Sequence, residues 1–130
     1  MRSHILVIEE DPDLSRLFDS MLRLEGHEVA LVRNVQEAQD KIAEREPDLI
    51  IFDWQLSNAA GFMWVDMMRN DERTAHIPIM LVCGARPPRS VYEMLSLAGV
   101  PMLEKPFDLM VFCRHVAALL HPIGRTVGAT

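Results

Sequence analysis

The sequence predicts a single α/β domain, a five-stranded parallel sheet with helices on both faces. The first observation is the run 48–53, in which four apolar residues stand unbroken between two aspartates. Such a run is typical of a strand buried on both faces inside a parallel sheet. The second observation is that short apolar runs alternate with segments of helical periodicity, the pattern of an α/β fold. The third is the length of 130 residues, which suits one domain.

The composition argues against several classes of protein. The net charge is −6, and no basic stripe is present, so neither direct nucleic-acid binding nor a membrane partner is expected. Two cysteines make neither a disulfide framework nor a zinc site, and they fit a reducing, cytoplasmic location. No signal peptide or membrane span is expected, because no apolar stretch approaches about 20 residues. We expect the domain to cover residues 1–121 and residues 122–130 to form a loose tail or linker.

The first strand is predicted at residues 5–8, and the first helix follows it. Asp11 is suited to cap this helix and Pro12 to begin it. We expect the helix to end at Gly26, since glycine readily adopts the left-handed conformation that closes helices.

A short second strand is predicted at residues 29–32, and a second helix follows. Asn34 would cap this helix, and Glu37 stands three residues later, as in a capping box. The inner face of the helix would be lined by Val35, Ala38 and Ile42. Pro47 closes this unit, and the central strand comes next.

The segment 54–60 is predicted to be a loop that ends at Gly61. A third helix would follow and end near residues 70–71. Pro78 would open the fourth strand, at residues 79–82. Three methionines of the third helix are expected to be core or packing residues: Met63, Met67 and Met68.

Two proline-rich or glycine-rich breaks separate the last elements. Residues 86–88 interrupt the chain before a fourth helix around residues 91–98. A turn containing Gly99 leads into the fifth strand at residues 102–104. Apolar residues at helical spacing then predict the last helix, from Leu109 to Leu120.

Polar side chains follow the predicted strands where each strand ends. Glu9 and Glu10 follow the first strand, Asp53 the central one, Cys83 the fourth and Lys105 the fifth. The carboxyl ends of parallel strands meet at one edge, and open α/β sheets bind ligands at that edge. The sequence therefore predicts one acidic site containing a lysine.

These residues resemble those of the receiver domain of bacterial two-component response regulators, over about residues 5–120. The marks are the acidic pair, Asp53 with Gly61 eight residues later, and the Lys-Pro-Phe triplet at residues 105–107. The resemblance implies a flavodoxin-like, doubly wound sheet of strand order 2-1-3-4-5.

The resemblance also implies a role for each site residue in a His-to-Asp phosphorelay. Asp53 would accept a phosphoryl group from a histidine kinase or histidine phosphotransfer protein and signal to a downstream effector protein or domain. Mg²⁺ would be bound by Glu10, Asp53 and the backbone carbonyl of Gln55, with Glu9 supporting the acidic pocket. Lys105 would contact the phosphoryl group. Such a domain is not an enzyme beyond self-catalysed phosphoryl transfer and autodephosphorylation.

The chemistry explains why these residue types are needed. Phosphoryl transfer asks the protein mainly for positioning and for stabilisation of charge. A carboxylate approaching an anionic phosphoryl group requires a divalent cation and an ammonium group to offset the repulsion. Mg²⁺ prefers oxygen ligands, and lysine supplies a compact point charge.

Three departures from the family pattern leave an alternative open. The acidic pair is two glutamates, Cys83 stands at a phosphoryl-contacting position that usually holds threonine or serine, and Met102 occupies the aromatic switch position. The alternative is a pseudo-receiver, an interaction module that works without phosphorylation. A flavodoxin-like cofactor binder is a third reading, disfavoured because acids rather than a glycine-rich phosphate loop follow the first strand.

Overall fold

The computed structural model describes residues 2–54, 59–84 and 87–121. The strands are β1 (His4–Ile8), β2 (Glu28–Val32), β3 (Leu49–Trp54), β4 (Ile79–Cys83) and β5 (Met102–Glu104). The helices are α1 (Pro12–Leu24), α2 (Val35–Glu44), α3 (Ala59–Asn70), α4 (Arg89–Leu97) and α5 (Leu109–Leu120). All strand pairs are parallel, in the order β2-β1-β3-β4-β5, so the predicted fold class and strand order are confirmed.

The central strand β3 is buried on both faces, as its apolar run predicts. Ile50 and Phe52 pack into a cluster with residues of α2, α3 and α4, which we call the α3-side cluster. Leu49 and Ile51 pack on the opposite face with residues of α1 and α5, in the α1-side cluster. Successive side chains of a strand point to opposite faces, so one strand contributes to both clusters.

The predicted helix caps are present. The Asp11 side chain accepts the N–H of Asp13 at 3.0 Å, and Pro12 begins α1. Gly26 follows the helix with a φ of 91°, which only glycine adopts without strain. The Asn34 side chain accepts the N–H of Glu37 at 2.9 Å.

The capping box at α2 differs from the usual motif in the backbone N–H that the Glu37 carboxylate accepts. The Glu37 carboxylate accepts the N–H of Arg33 at 2.9 Å, one residue before the cap. The bond still satisfies a backbone donor at the helix start, which is the purpose of the motif.

The predicted loop 54–60 is wrong at both ends. Trp54 pairs with Cys83 and is therefore the last residue of β3. Helix α3 begins at Ala59, because two alanines favour helix strongly enough to carry Gly61 in the first turn. Residues 55–58, including Gln55, lie outside the described part, as do Arg86 and the predicted tail 122–130.

Of the three methionines of α3 that were predicted to be packing residues, one is buried in the core. Met68 is buried in the α3-side cluster, but Met63 and Met67 are 68% and 48% exposed. The stripe of α3 that faces the sheet is already filled by Trp64 and Val65 together with Met68. The other two therefore lie on the outer side of the helix.

No helix in the described part of the chain is long and apolar enough to cross a bilayer.

Candidate functional site

The strand register brings Glu9 and Asp53 side by side. Ile8 pairs with Phe52 between β1 and β3, so the next residue of each strand lies at the carboxyl edge of the sheet. The N–H of Glu9 continues the ladder by donating to the carbonyl of Val32 at 2.9 Å. By strand alternation both carboxylates project on the side of α1 and α5.

Asp53 forms an ion pair with Lys105. The lysine Nζ lies 2.5 Å from Oδ2 of Asp53, whose side chain is only 5% exposed. The lysine side chain is 31% exposed, so the pair opens to solvent from one side. The backbone N–H of Lys105 donates to the carbonyl of Cys83 at 2.8 Å, which fixes the start of the loop after β5 to the end of β4.

Aromatic rings anchor the segment that follows Lys105. Phe107 stacks against Phe18 of α1 and Phe112 of α5, with ring centroids 6.3 Å and 5.6 Å apart. Phe18 and Phe112 are fully buried and stack on each other. The sequence indicates Phe107 only as part of the Lys-Pro-Phe triplet, and the helical spacing of Phe18 is the signal in the sequence that points to this contact. The stack holds the lysine loop against α1.

Glu9 is a buried carboxyl group, 3% exposed. Its Oε1 accepts the N–H of Asp11 at 2.9 Å. The sequence predicts Asp11 only as a helix cap and does not indicate this bond. Burial, followed by a hydrogen bond to Asp53 and the negative charge of Asp53, raises the pKa of Glu9 to about 8.

The second carboxyl oxygen of Glu9 indicates whether the site suits a cation. Glu9 Oε2 is buried, and no donor in the described residues reaches it. A carboxylate oxygen that faces another carboxylate is satisfied by a shared proton or by a cation. Glu9 and Asp53 therefore fit a hard divalent cation such as Mg²⁺, which takes oxygen ligands.

Glu10 lies next to this pair but is exposed. Within residues 2–54, 59–84 and 87–121, no three His, Cys, Asp or Glu side chains are grouped as metal ligands. The structure thus brings together Glu9, Asp53 and Lys105 and leaves Glu10 at the rim. A metal ligand role for Glu10 requires its side chain to turn inward, and Gln55 lies outside the described residues.

The two other predicted site positions are packed into the protein. Cys83, the last residue of β4, is fully buried. Met102, the first residue of β5, is half-buried and packs against the α3-side cluster. A buried thiol and a thioether are both apolar fillers by chemistry, and neither offers the strong hydroxyl donor of threonine or serine.

A family model described as the response regulator receiver domain matches residues 5–117. The DNA-binding dual master transcriptional regulator RpaA of Synechocystis sp. is 31% identical over 121 residues, covering 93% of this chain and 50% of the relative. The phosphate regulon transcriptional regulatory protein PhoB of Pseudomonas aeruginosa is 26% identical over 120 residues, covering 92% and 52%. The chain thus spans about half the length of these relatives.

A solved structure is also similar, that of a signal receiver domain of a signal transduction histidine kinase from Syntrophus aciditrophicus. It has a TM-score of 0.79 and 28% identity, and the match covers 91% of this chain and 89% of that one.

Proposed function

Because the chain belongs to the family of response regulator receiver domains, we propose that it is a phosphoacceptor phosphorylated on Asp53. The observation that carries the proposal is the position of Asp53 near the carboxyl end of the buried central strand, with Lys105 Nζ 2.5 Å from its Oδ2 and Glu9 beside it. The donor is a phosphohistidine of a histidine kinase or a histidine phosphotransfer protein.

The transfer is a displacement at phosphorus. A carboxylate oxygen of Asp53 attacks the phosphorus, a P–O bond forms, and the P–N bond of the donor phosphohistidine breaks. The donor imidazole leaves with the electron pair of that bond and takes a proton from solvent. The product is an acyl phosphate, the expected adduct of a carboxylate nucleophile. The chain then acts through self-catalysed transfer and autodephosphorylation rather than as a separate enzyme.

Lys105 supplies the positive charge that the incoming phosphoryl group requires. Its ammonium group is hydrogen-bonded to Asp53 Oδ2. The loop that carries Lys105 is held in place by the bond to the carbonyl of Cys83 and by the aromatic stack of Phe107 on Phe18. After transfer, the same ammonium group pairs with the phosphoryl oxygens without a large movement. Stabilisation of developing charge by a preorganised group is a main source of catalysis in this chemistry.

Mg²⁺ would be held by Asp53, Glu10 and the carbonyl of Gln55, with Glu9 supporting the pocket. When bound, the ion neutralises charge on the phosphoryl oxygens. Glu9 contributes a full negative charge only after its carboxyl proton is lost, and its raised pKa makes this loss unfavourable below about pH 8. Glu10, exposed at the rim, would hold such an ion by turning its side chain inward.

The output is proposed by analogy with the relatives. RpaA and PhoB are transcriptional regulators by name, and each is about twice the length of the matched region. We therefore propose that the phosphorylated domain acts on a downstream effector protein or domain.

The test is incubation with a small phosphodonor and Mg²⁺, followed by intact mass measurement. We expect the wild-type chain to gain one phosphoryl group that hydroxylamine removes, because acyl phosphates are labile to this nucleophile. Asp53→Asn should remain unmodified. Asp40→Asn is the matched control, an exposed aspartate of α2 whose loss should leave phosphorylation unchanged.

One observation favours the pseudo-receiver as a second candidate. The buried Cys83 offers no hydroxyl to a phosphoryl group. A domain of this kind would bind its partner in the resting state. An unmodified wild-type mass at saturating phosphodonor would support this candidate against the phosphoacceptor.

A further inference from the structure

Helices α1 and α5 pack on the same face of the sheet, and an open groove lies between them. The groove has a volume of about 370 Å³. Its apolar lining comes from Met21, Leu24, Leu109 and Met110. A volume of this size accommodates one or two large apolar side chains of a partner.

The apolar residues at this groove are largely exposed. Leu24 is 87% exposed, Met110 69% and Leu109 50%. Leu17, one turn of α1 before Met21, is 45% exposed and extends the same stripe. An ordinary surface helix carries polar residues on the side away from the core. A contiguous exposed apolar patch of this kind marks a surface that contacts another protein.

Two charges of opposite sign border the groove. Glu25 follows α1, and Arg114 lies on α5. Both are exposed, and neither forms an ion pair in the part of the chain that the structure describes. The thiol of Cys113, which also lines the groove, donates a hydrogen bond to the Glu25 carboxylate. The patch is therefore apolar at its centre and carries one unpaired charge of each sign.

We propose that the groove between α1 and α5 is the contact surface of a homodimer, in which it meets the same groove of a second copy. Such a contact has a two-fold axis, so a residue that touches a second residue across the interface is touched by it in return. Glu25 of each copy then pairs with Arg114 of the other copy. Leu24 and Met110 of the two copies pack together between these pairs.

Charge complementarity identifies a second copy as the occupant. Each copy carries both signs, so one two-fold contact neutralises Glu25 and Arg114 on both sides. An acidic or a basic partner would match one of the two and repel the other, and a nucleic acid would bring phosphates to Glu25. The net charge of −6 does not prevent the contact, because charges farther apart than about 8 Å are largely screened at physiological salt.

The test is sedimentation equilibrium of the unphosphorylated chain alone, between about 5 and 500 µM. The proposal does not depend on phosphorylation of Asp53. We expect a reversible monomer–dimer equilibrium with a dissociation constant of roughly tens of micromolar. Backbone amide shifts that change with protein concentration should be concentrated in α1 and α5.

Charge reversal tests the pairing across the two-fold axis. Glu25→Arg and Arg114→Glu should each weaken dimerisation at least about tenfold, because each variant places like charges opposite one another. An equimolar mixture of the two variants should dimerise as wild type does, since every pair then joins an arginine to a glutamate. The mixture also shows that both variants are folded. Asp40→Arg, an equal change of charge on α2, should alter the affinity by less than about twofold.

A second pair of variants tests the apolar part of the contact. Met110→Ser should weaken dimerisation about tenfold, because it removes an apolar side chain from the centre of the interface. Met63→Ser on α3 is the matched control, since Met63 and Met110 are 68% and 69% exposed. Its effect on the affinity should be less than about twofold.

A chain that stays monomeric at about 500 µM would overturn the proposal and leave the groove to a different protein. Two other results would also overturn it: single charge variants that dimerise as tightly as wild type, or a mixture of them that remains monomeric.

Discussion

At the scale of single residues, the site is governed by two carboxyl groups that lie side by side. Glu9 is buried next to Asp53, and Lys105 neutralises only one of the two. The pKa of Glu9 is therefore raised from its ordinary value near 4.5 to about 8, so the carboxyl group retains its proton at neutral pH. A carboxyl group forced to remain neutral in the folded state makes stability depend on pH.

The first prediction concerns this dependence. Between pH 4.5 and about pH 8 the unfolded chain releases the Glu9 proton and the folded chain keeps it, so the free energy of unfolding should fall as pH rises. Glu9→Gln removes the titrating group. Without Mg²⁺ at pH 8, this variant should be more stable than wild type by at least about 1 kcal/mol, and the gain should shrink toward pH 4.5.

Urea unfolding at pH 5 and pH 8 measures the effect, and Glu10→Gln is the control. Glu10 is exposed next to Glu9, so its replacement should leave the pH dependence of stability unchanged. A wild type and a Glu9→Gln variant with parallel stability curves would show that Glu9 is not held neutral.

The second prediction concerns Mg²⁺. Glu9 already uses one oxygen on the N–H of Asp11, whereas Glu10 is exposed and free to turn toward a cation. Glu10→Gln should therefore weaken Mg²⁺ binding more than Glu9→Gln does at pH 7. Calorimetric titration of each variant with Mg²⁺ provides the comparison. If Glu9→Gln lost more Mg²⁺ affinity than Glu10→Gln, then Glu9 would be the direct ligand and Glu10 the supporting residue.

At the scale of elements, the packed residues at the end of β4 and the start of β5 determine how far a phosphoryl group can affect α4 and α5. Cys83 is fully buried but has only a weak donor, and Met102 packs without a ring that could change position. A ligand shifts an equilibrium only as far as its contacts differ between the two states. Lys105 is left as the main link.

The third prediction follows from this packing. Phosphorylation of Asp53 should change hydrogen exchange little in residues 91–115 of the wild type. Cys83→Thr should enlarge the change, because a hydroxyl bonded to a charged phosphoryl oxygen makes a strong hydrogen bond. The measurement compares both proteins with and without a phosphoryl mimic. A large wild-type response that Cys83→Thr leaves unchanged would contradict the explanation.

The side chain of Arg69 joins helix α3 to two neighbouring turns by hydrogen bonds. The guanidinium of Arg69 donates to the carbonyls of Ala98 at 2.9 Å and Ile77 at 2.7 Å, so it ties the end of α3 to the turns before β4 and β5. Burial lowers the pKa of Arg69, but its ordinary value is so high that it stays charged.

The fourth prediction is that Arg69→Met destabilises the domain by about 2–3 kcal/mol, because two partly buried carbonyls lose a charged donor. Arg73→Met is the matched control. Arg73 is exposed and bonded only to Asp71 among the described residues, and its loss should cost less than about 1 kcal/mol. Urea unfolding of both variants gives the comparison, and equal losses would mean that the Arg69 bonds do not join the elements.

At the scale of the whole molecule, the parts of the fold that depend on local pattern were predictable. The buried run before Asp53, the helical spacing from Leu109 and the caps at Asp11 and Asn34 each appear in the structure as expected. The edge at which the strands end together was also predictable, because parallel strands bring their last residues to one edge. The same rule predicts that Asp53 and Lys105 lie close together, as the structure has them.

The remaining features depend on distances that a sequence does not contain. Glu9 and Glu10 are chemically equal in the sequence, and only the register of β1 with β3 selects Glu9 as the partner of Asp53. The exposure of Met63 and Met67 likewise depends on which stripe of α3 meets the sheet. The start of α3 differs from the predicted one because Gly61 predicts a break, whereas the two alanines before it extend the helix through it.

The most direct measurement of the central claim is the location of the phosphoryl group. Borohydride reduces an acyl phosphate to a primary alcohol, so the modified aspartate becomes homoserine and is found by peptide mass spectrometry. After incubation with a phosphodonor and Mg²⁺, we expect homoserine at Asp53 and unmodified aspartate at Asp11, Asp13 and Asp48. Reduction at another aspartate, or none in a folded protein at saturating phosphodonor, would contradict the assignment of Asp53 as the phosphoacceptor.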